Sequence, residues 1–90
     1  MVTNDPSTTA AHLPVGNGWL KVKSISVRIV AVTADTTFRR GDTPATFWTI
    51  DKDGVAAEAI VTRDYGEGQW MKDLILSSNA DANVVTVEYA

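Results

Sequence analysis

The feature that most constrains this chain is its wealth of side chains branched at Cβ. Val, Ile and Thr contribute 11, 5 and 11 of the 90 residues, against only 4 Leu. Branching at Cβ restricts side-chain rotamers in a helix and packs well on a pleated surface, so this bias favours sheet over helix. The sequence therefore predicts an all-β protein.

The organisation along the chain agrees with that class. Residues 1–18 are rich in Thr, Ser, Ala and Asn and contain Pro6 and Pro14, so we expect an extended N-terminal arm rather than a packed element. Residues 19–90 alternate short apolar segments with turn signals and are long enough for one domain only. This pattern predicts a small antiparallel β-sandwich or barrel that follows the arm.

The first long strand changes face along its length. Leu20 and Val22 stand at even positions, whereas Ile25 and Val27 stand at odd positions. Because side chains alternate across a strand, the change requires a local irregularity, and we predict a β-bulge near Ser24.

The later segments are less regular. We expect a polar loop over 35–43, and then a β-hairpin formed by 45–50 and 55–65, closed by Asp51-Lys52-Asp53-Gly54 with Gly54 in the left-handed conformation. Gly66-Glu67-Gly68 predicts a further turn. Residues 70–78 fit either a helical stripe or a strand, and we favour the strand. Residues 79–83 predict a turn, and 84–89 a half-solvated strand.

The chain lacks residues that several kinds of metal and catalytic site require. There is no Cys, and His12 is the only His, so neither a thiolate zinc site nor a Cys-His or rigidly held Ser-His pair is expected. Residues 51–54 look like the start of a calcium loop, but Thr62 stands where its bidentate Glu would be. We therefore expect no metal, no cofactor and no catalytic residue. A small enzyme is the alternative, if two carboxylates converge in a pocket.

The charge and hydropathy of the chain limit the classes of partner that we expect it to bind. The net charge of −3 disfavours nucleic acid, whose binding needs a basic surface. No window approaches the roughly 18 apolar residues of a membrane span, and residues 1–11 lack the pattern of a signal peptide, so we expect a soluble protein made in the cytoplasm.

The charge is unevenly distributed along the sequence. Residues 1–40 carry a net charge of +3 and residues 41–90 a net charge of −6. This asymmetry suggests a head-to-tail contact between subunits, unless folding mixes the charges.

The aromatic residues are the best candidates for contact with a partner. Trp19, Trp48 and Trp70 each lie near a predicted turn, where a ring left partly exposed can anchor a protein surface or stack on a sugar. The alternative is that they cap the ends of the core. With His12 and Leu13 of the arm, they form our set of candidate partner-binding residues.

The C-terminal third resembles a known class of proteins. The resemblance lies in the succession Gly66-Glu67-Gly68-Gln69-Trp70, Leu74-Ile75-Leu76, Ser77-Ser78-Asn79-Ala80-Asp81-Ala82-Asn83 and Val84-Val85-Thr86-Val87-Glu88-Tyr89-Ala90. It is similar to small virion structural proteins of tailed bacteriophages, the capsid-decoration and fibre- or spike-base class.

This resemblance implies a β-rich virion subunit, made in the host cytoplasm, that docks without catalysis on other virion proteins such as a major capsid or appendage protein. A homo-oligomer is also expected. The alternative function is a carbohydrate- or small-ligand-binding β-module that uses Trp48 or Trp70 as its stacking platform.

Overall fold

The chain folds into two antiparallel four-stranded sheets that pack as a β-sandwich, which confirms the predicted all-β class. The computed structural model describes residues 2–4, 11–12, 18–41 and 43–89. Sheet A has the strand order β1-β8-β3-β6 and sheet B the order β2-β7-β4-β5. The strands are β1 (Val2–Asn4), β2 (Ala11–His12), β3 (Trp19–Arg28), β4 (Thr36–Arg40), β5 (Thr43–Ile50), β6 (Ile60–Lys72), β7 (Ile75–Ser78) and β8 (Val84–Tyr89).

The core lies between the two sheets and consists mainly of alternate residues from their strands. Successive side chains of a strand point to opposite faces, so each strand contributes every second residue to the interior. Burial of these apolar side chains stabilises the fold by roughly 1.5–3 kcal/mol for each large one. The buried apolar residues are Val22, Ile25, Val27, Ile29, Phe38, Ile50, Met71, Leu74, Leu76, Val85 and Val87.

The predicted bulge in β3 is confirmed. The register shifts between Val22 and Ser24 against both neighbouring strands. On the β6 side, Val22 pairs with Gln69 and Ser24 with Asp64, so Tyr65 to Gly68 lie opposite Lys23 alone. The turn predicted at residues 66–68 is therefore wrong as a strand end, because β6 continues through this irregularity to Lys72.

The polar loop predicted over 35–43 is also wrong, because residues 36–40 form strand β4. Thr36 and Phe38 face the core and are buried, while Arg39 is exposed. A strand that buries one face needs few apolar residues, and Thr is itself a good strand former. The two Arg residues at its end and the three polar positions before Phe38, from Asp35 to Thr37, gave this segment the composition of a loop.

The hairpin predicted from 45–50 and 55–65 does not form. Strand β5 pairs with β4 in sheet B, and β6 pairs with β3 in sheet A, so the connection between them crosses the sandwich. This connection begins with a 3-10 turn, Lys52–Gly54, capped by Asp51, whose side chain accepts from the backbone N–H of Asp53. Glu58, with φ 70°, takes the left-handed conformation that we predicted for Gly54.

Residues 70–78 are extended, as predicted, but they belong to two strands in different sheets. The chain leaves sheet A after Lys72 and enters sheet B at Ile75. Asp73 makes the corner with φ 48°, a conformation that Asp tolerates better than most residues. Met71 and Leu74 on either side are both buried, so the corner is fixed by the core.

The described parts of the N-terminal arm lie at the sheet edges. Strand β1 pairs with β8, and β2 pairs with β7, so the arm adds one short strand to each sheet. The division at residue 18 stays a prediction. In the part of the chain that the structure describes, no helix is long and apolar enough to cross a membrane.

Candidate binding surface

Two of the three Trp residues lie on one exposed sheet face. In the β3–β6 ladder, Trp19 is paired with Lys72, and Lys21 is paired with Trp70. The side chains of directly paired residues point to the same face, so the four form a square in which Trp and Lys alternate. Trp19 is 58% and Trp70 59% exposed. We call these four residues the tryptophan–lysine face.

The alternation of β3 and β6 explains why these rings are outside. Leu20 and Met71 stand between the members of the face along their strands, and both pack into the core. Trp19 and Trp70 must therefore point outward. The core could accept them only if both strands slipped by one residue, which would expose Met71 to solvent.

A glycine supports one corner of this face. The side chain of Lys21 runs over Gly68, where an added Cβ would lie 2.7 Å from the Lys21 Cγ. Gly68 has φ 124°, which side-chain-bearing residues rarely adopt. Gly68 therefore gives Lys21 the room to lie flat beside Trp70.

The outer surface of β6 carries a further apolar side chain at its other end. Ile60 is 68% exposed and pairs with Arg28. Between Ile60 and the bulge, the hydroxyls of Ser26 and Thr62 are hydrogen-bonded across the ladder at 3.0 Å. The outer face of the β3–β6 pair thus carries exposed apolar side chains at both ends.

Trp48 has a different environment, on sheet B. Its ring stacks on Phe38 at a centroid distance of 5.0 Å and an interplanar angle of 18°. The Arg63 guanidinium lies over the ring at 5.9 Å and donates to the backbone carbonyl of Phe47 at 3.4 Å. Trp48 is partly buried and engaged by these neighbours, so it is a poorer stacking platform than Trp19 or Trp70.

Arg63 also contacts Tyr65, and together they bridge the edge strands β5 and β6. Its guanidinium lies 5.8 Å from the Tyr65 ring centroid. The Tyr65 hydroxyl is buried and has no hydrogen-bond partner. Burial raises the pKa of Tyr65, although the positive charges of Arg63 and Arg40 oppose this shift.

The opposite end of the sandwich holds a polar network that sequence reasoning missed. Asn79 and Asn83 are buried at the ends of the β7–β8 loop, and the Asn79 side chain bonds to both the carbonyl and the N–H of Asn83. Asp81, between them, accepts hydrogen bonds from the backbone N–H groups of Thr33 and Ala34 and from the Thr33 hydroxyl. The only sequence signal was the pair of Asn residues flanking a predicted turn.

The structure therefore brings together two of the five candidate partner-binding residues, Trp19 and Trp70. His12 lies in β2, paired with Ile75 of sheet B, and Trp48 is also on sheet B. Leu13 lies outside the described residues. The two lysines of the face were not predicted, because only the pairing of β3 with β6 places them beside the Trp rings.

Within residues 2–4, 11–12, 18–41 and 43–89, the structure contains no pocket and no group of three side chains suited to hold a metal ion. No family model, no curated protein and no solved structure matches this chain.

Proposed function

We propose that this protein is a bacteriophage virion structural protein, a capsid-decoration or appendage-base subunit that acts by protein–protein assembly without catalysis. The observation that carries the proposal is the tryptophan–lysine face, where two large aromatic side chains are more than half exposed on one face of sheet A. Trp is among the residues that contribute most to protein interfaces, because its ring buries a large area with little loss of conformational freedom.

The arm gives a second support. Its described residues add short strands at the edges of both sheets, as Val2–Asn4 beside β8 and Ala11–His12 beside β7. Main-chain hydrogen bonding of an extended segment to a sheet edge is also a recurring way in which one protein binds another. Because β1 and β2 are the outermost strands of their sheets, their outer edges and the tryptophan–lysine face are the two places that we propose for contact with virion proteins such as a major capsid or appendage protein.

The test is co-sedimentation of the tagged protein with phage particles in a density gradient. We expect wild-type protein to band with capsids or with tail structures in a fixed ratio. The double variant Trp19→Ala, Trp70→Ala should keep its fold and remain at the top of the gradient. Wild-type protein that never bands with particles would contradict the proposal.

A second candidate is a carbohydrate-binding module, and the two exposed Trp rings on one face favour it. Trp70 with Trp19, rather than Trp48, would then be the platform, and Lys21 and Lys72 would select acidic sugars. Titration with neutral and acidic glycans should change tryptophan fluorescence in wild-type protein but not in the double variant. No change across a broad panel would remove this candidate.

A further inference from the structure

Part of the charge is separated along the strand direction, while charged side chains of both signs lie between the two ends: Lys23, Arg63, Asp64, Glu67 and Glu88. At the end where β3 begins and β4 and β6 end, Lys21 and Lys72 come from sheet A, and Arg39 and Arg40 from sheet B. The acidic side chain described at this end is Asp73, and Asp42 follows in the sequence outside the described residues. We call this the basic end, and it contains the tryptophan–lysine face.

The opposite end is formed by three loops, residues 29–35, 51–59 and 79–83. They carry five acidic side chains and one basic side chain, Lys52, which is ion-paired with Asp53 at 3.4 Å. Arg28, at the adjoining end of β3, is ion-paired with Glu58 at 3.6 Å. We call this the acidic end. Its acidic residues are Asp35, Asp51, Asp53, Glu58 and Asp81.

These loops are bonded to one another and so present one surface. The backbone N–H of Lys52 donates to Asp35 at 2.9 Å. Ile29 and Glu58 are joined by a backbone hydrogen bond of 2.8 Å. Asp81 ties residues 33–34 to the β7–β8 loop. A surface already ordered in the free protein loses less conformational entropy when it binds.

We infer that copies of this chain associate head to tail, with the acidic end of one copy covering the tryptophan–lysine face of the next. The occupant follows from charge complementarity, because the basic and acidic ends belong to the same molecule. The two Trp rings provide apolar area for this contact to bury. The contact is heterologous, so repeated copies close into a ring or extend as a filament.

This inference deepens the proposed function, on which it rests, by naming a second copy as one assembly partner. The test uses purified protein without phage particles, so its failure is distinguishable from a failure to band with capsids. One variant reverses the basic end, Arg39→Glu with Lys72→Glu. The matched variant reverses the acidic end, Asp53→Lys with Glu58→Lys. All four side chains are exposed, so both variants should fold.

Sedimentation velocity over a range of concentrations measures the outcome. We expect wild-type protein to associate, and added salt to weaken the association as it screens the charges. Each variant alone should associate at least about tenfold more weakly, since like charges then face each other. An equimolar mixture of the two should associate again, because every contact then joins ends of opposite charge.

Three results would overturn the inference. The first is a wild-type protein that stays monomeric at every concentration in low salt. The second is association that neither variant weakens. The third is two monomeric variants whose mixture does not associate, which would show that the two ends do not bind each other. Circular dichroism of each variant verifies that the loss of association is not a loss of fold.

Discussion

Asn83 donates its side-chain amide to the hydroxyl of Thr36 at 2.9 Å, and this bond ties the β7–β8 loop to the first residue of β4. The Asn83 side-chain oxygen accepts from the backbone N–H of Val30 at 2.8 Å. One buried side chain therefore joins the β7–β8 loop to both ends of the segment between Val30 and Thr36, which is distant from it in sequence. Its polar atoms are satisfied by protein groups, as buried polar groups require.

Asn83→Ala should destabilise the fold by about 2–4 kcal/mol, since it removes two hydrogen bonds and leaves a backbone N–H without its acceptor. Urea unfolding followed by tryptophan fluorescence measures the loss. Ser78→Ala, at an exposed position at the end of β7, is the control and should change stability by less than about 0.5 kcal/mol. Equal midpoints for the two variants would show that the network contributes little.

Asp81 should make stability depend on acid pH. The hydrogen bond from the Thr33 hydroxyl, with those from the backbone N–H groups of Ala34 and Thr33, holds the pKa of Asp81 below its ordinary value of 3.8. A depressed folded-state pKa means that the unfolded chain binds this proton more readily. The carboxylate therefore stabilises the fold above pH 3.8, and this contribution is lost as pH falls through the folded-state pKa.

The expected result is a difference in urea midpoint between wild type and Asp81→Ala that is largest at neutral pH and shrinks in acid. Asp53→Ala removes a carboxylate from the same end without removing the bonds to residues 33–34, and serves as the control. A wild-type advantage over Asp81→Ala that stayed constant down to pH 2 would argue against this linkage.

The irregularity of β6 opposite Lys23 contains two glycines, Gly66 and Gly68, whose substitution should have different effects on stability. Gly68→Ala places a Cβ 2.7 Å from the Lys21 Cγ at φ 124° and should destabilise by about 2–3 kcal/mol. Gly66→Ala, at φ 65° with no atom within 4 Å, should destabilise by about 1 kcal/mol. Gly18→Ala has open space and no positive φ, and is the neutral control. Thermal unfolding of the three variants tests this order.

Tyr65→Phe should be at least as stable as wild type. It removes a buried hydroxyl that has no hydrogen-bond partner, so no favourable bond is lost. Because burial raises the pKa of Tyr65, the unfolded chain releases this proton first and wild-type stability falls as pH rises above about 10. Urea midpoints at pH 7 and pH 11 should show a growing advantage for the variant. A less stable variant at both values would indicate a partner for the hydroxyl.

The exposed aromatic side chains should contribute little to stability, whereas the buried ones should contribute strongly. Trp19→Ala with Trp70→Ala should change stability by about 1 kcal/mol or less, because both rings are more than half exposed. Phe38→Ala removes a fully buried ring that stacks on Trp48 and should cost about 3–5 kcal/mol. The urea midpoints of the two variants measure these changes in stability. A large destabilisation in the double Trp variant would mean that these rings support the fold.

The local sequence pattern predicted some features of the candidate binding surface and could not predict others. The sequence identified the three Trp residues as candidate anchors, because large aromatics near turns are often partly exposed. It did not predict that Trp19 and Trp70 share one face, since this depends on the register of two strands about fifty residues apart in the chain. Nor did it predict that Phe38 engages Trp48, because Phe38 lay in a predicted loop.

The sequence by itself determined the all-β class, the bulge in β3 and the strand at 84–89, because rotamer restriction and two-residue alternation are local properties of the chain. Only the tertiary structure decided that β4 is a strand, that β5 and β6 belong to different sheets, and that Trp19 and Trp70 share one face. Strand pairing is a contact between distant segments. Its outcome depends on which faces the whole core can bury, and no single segment contains that information.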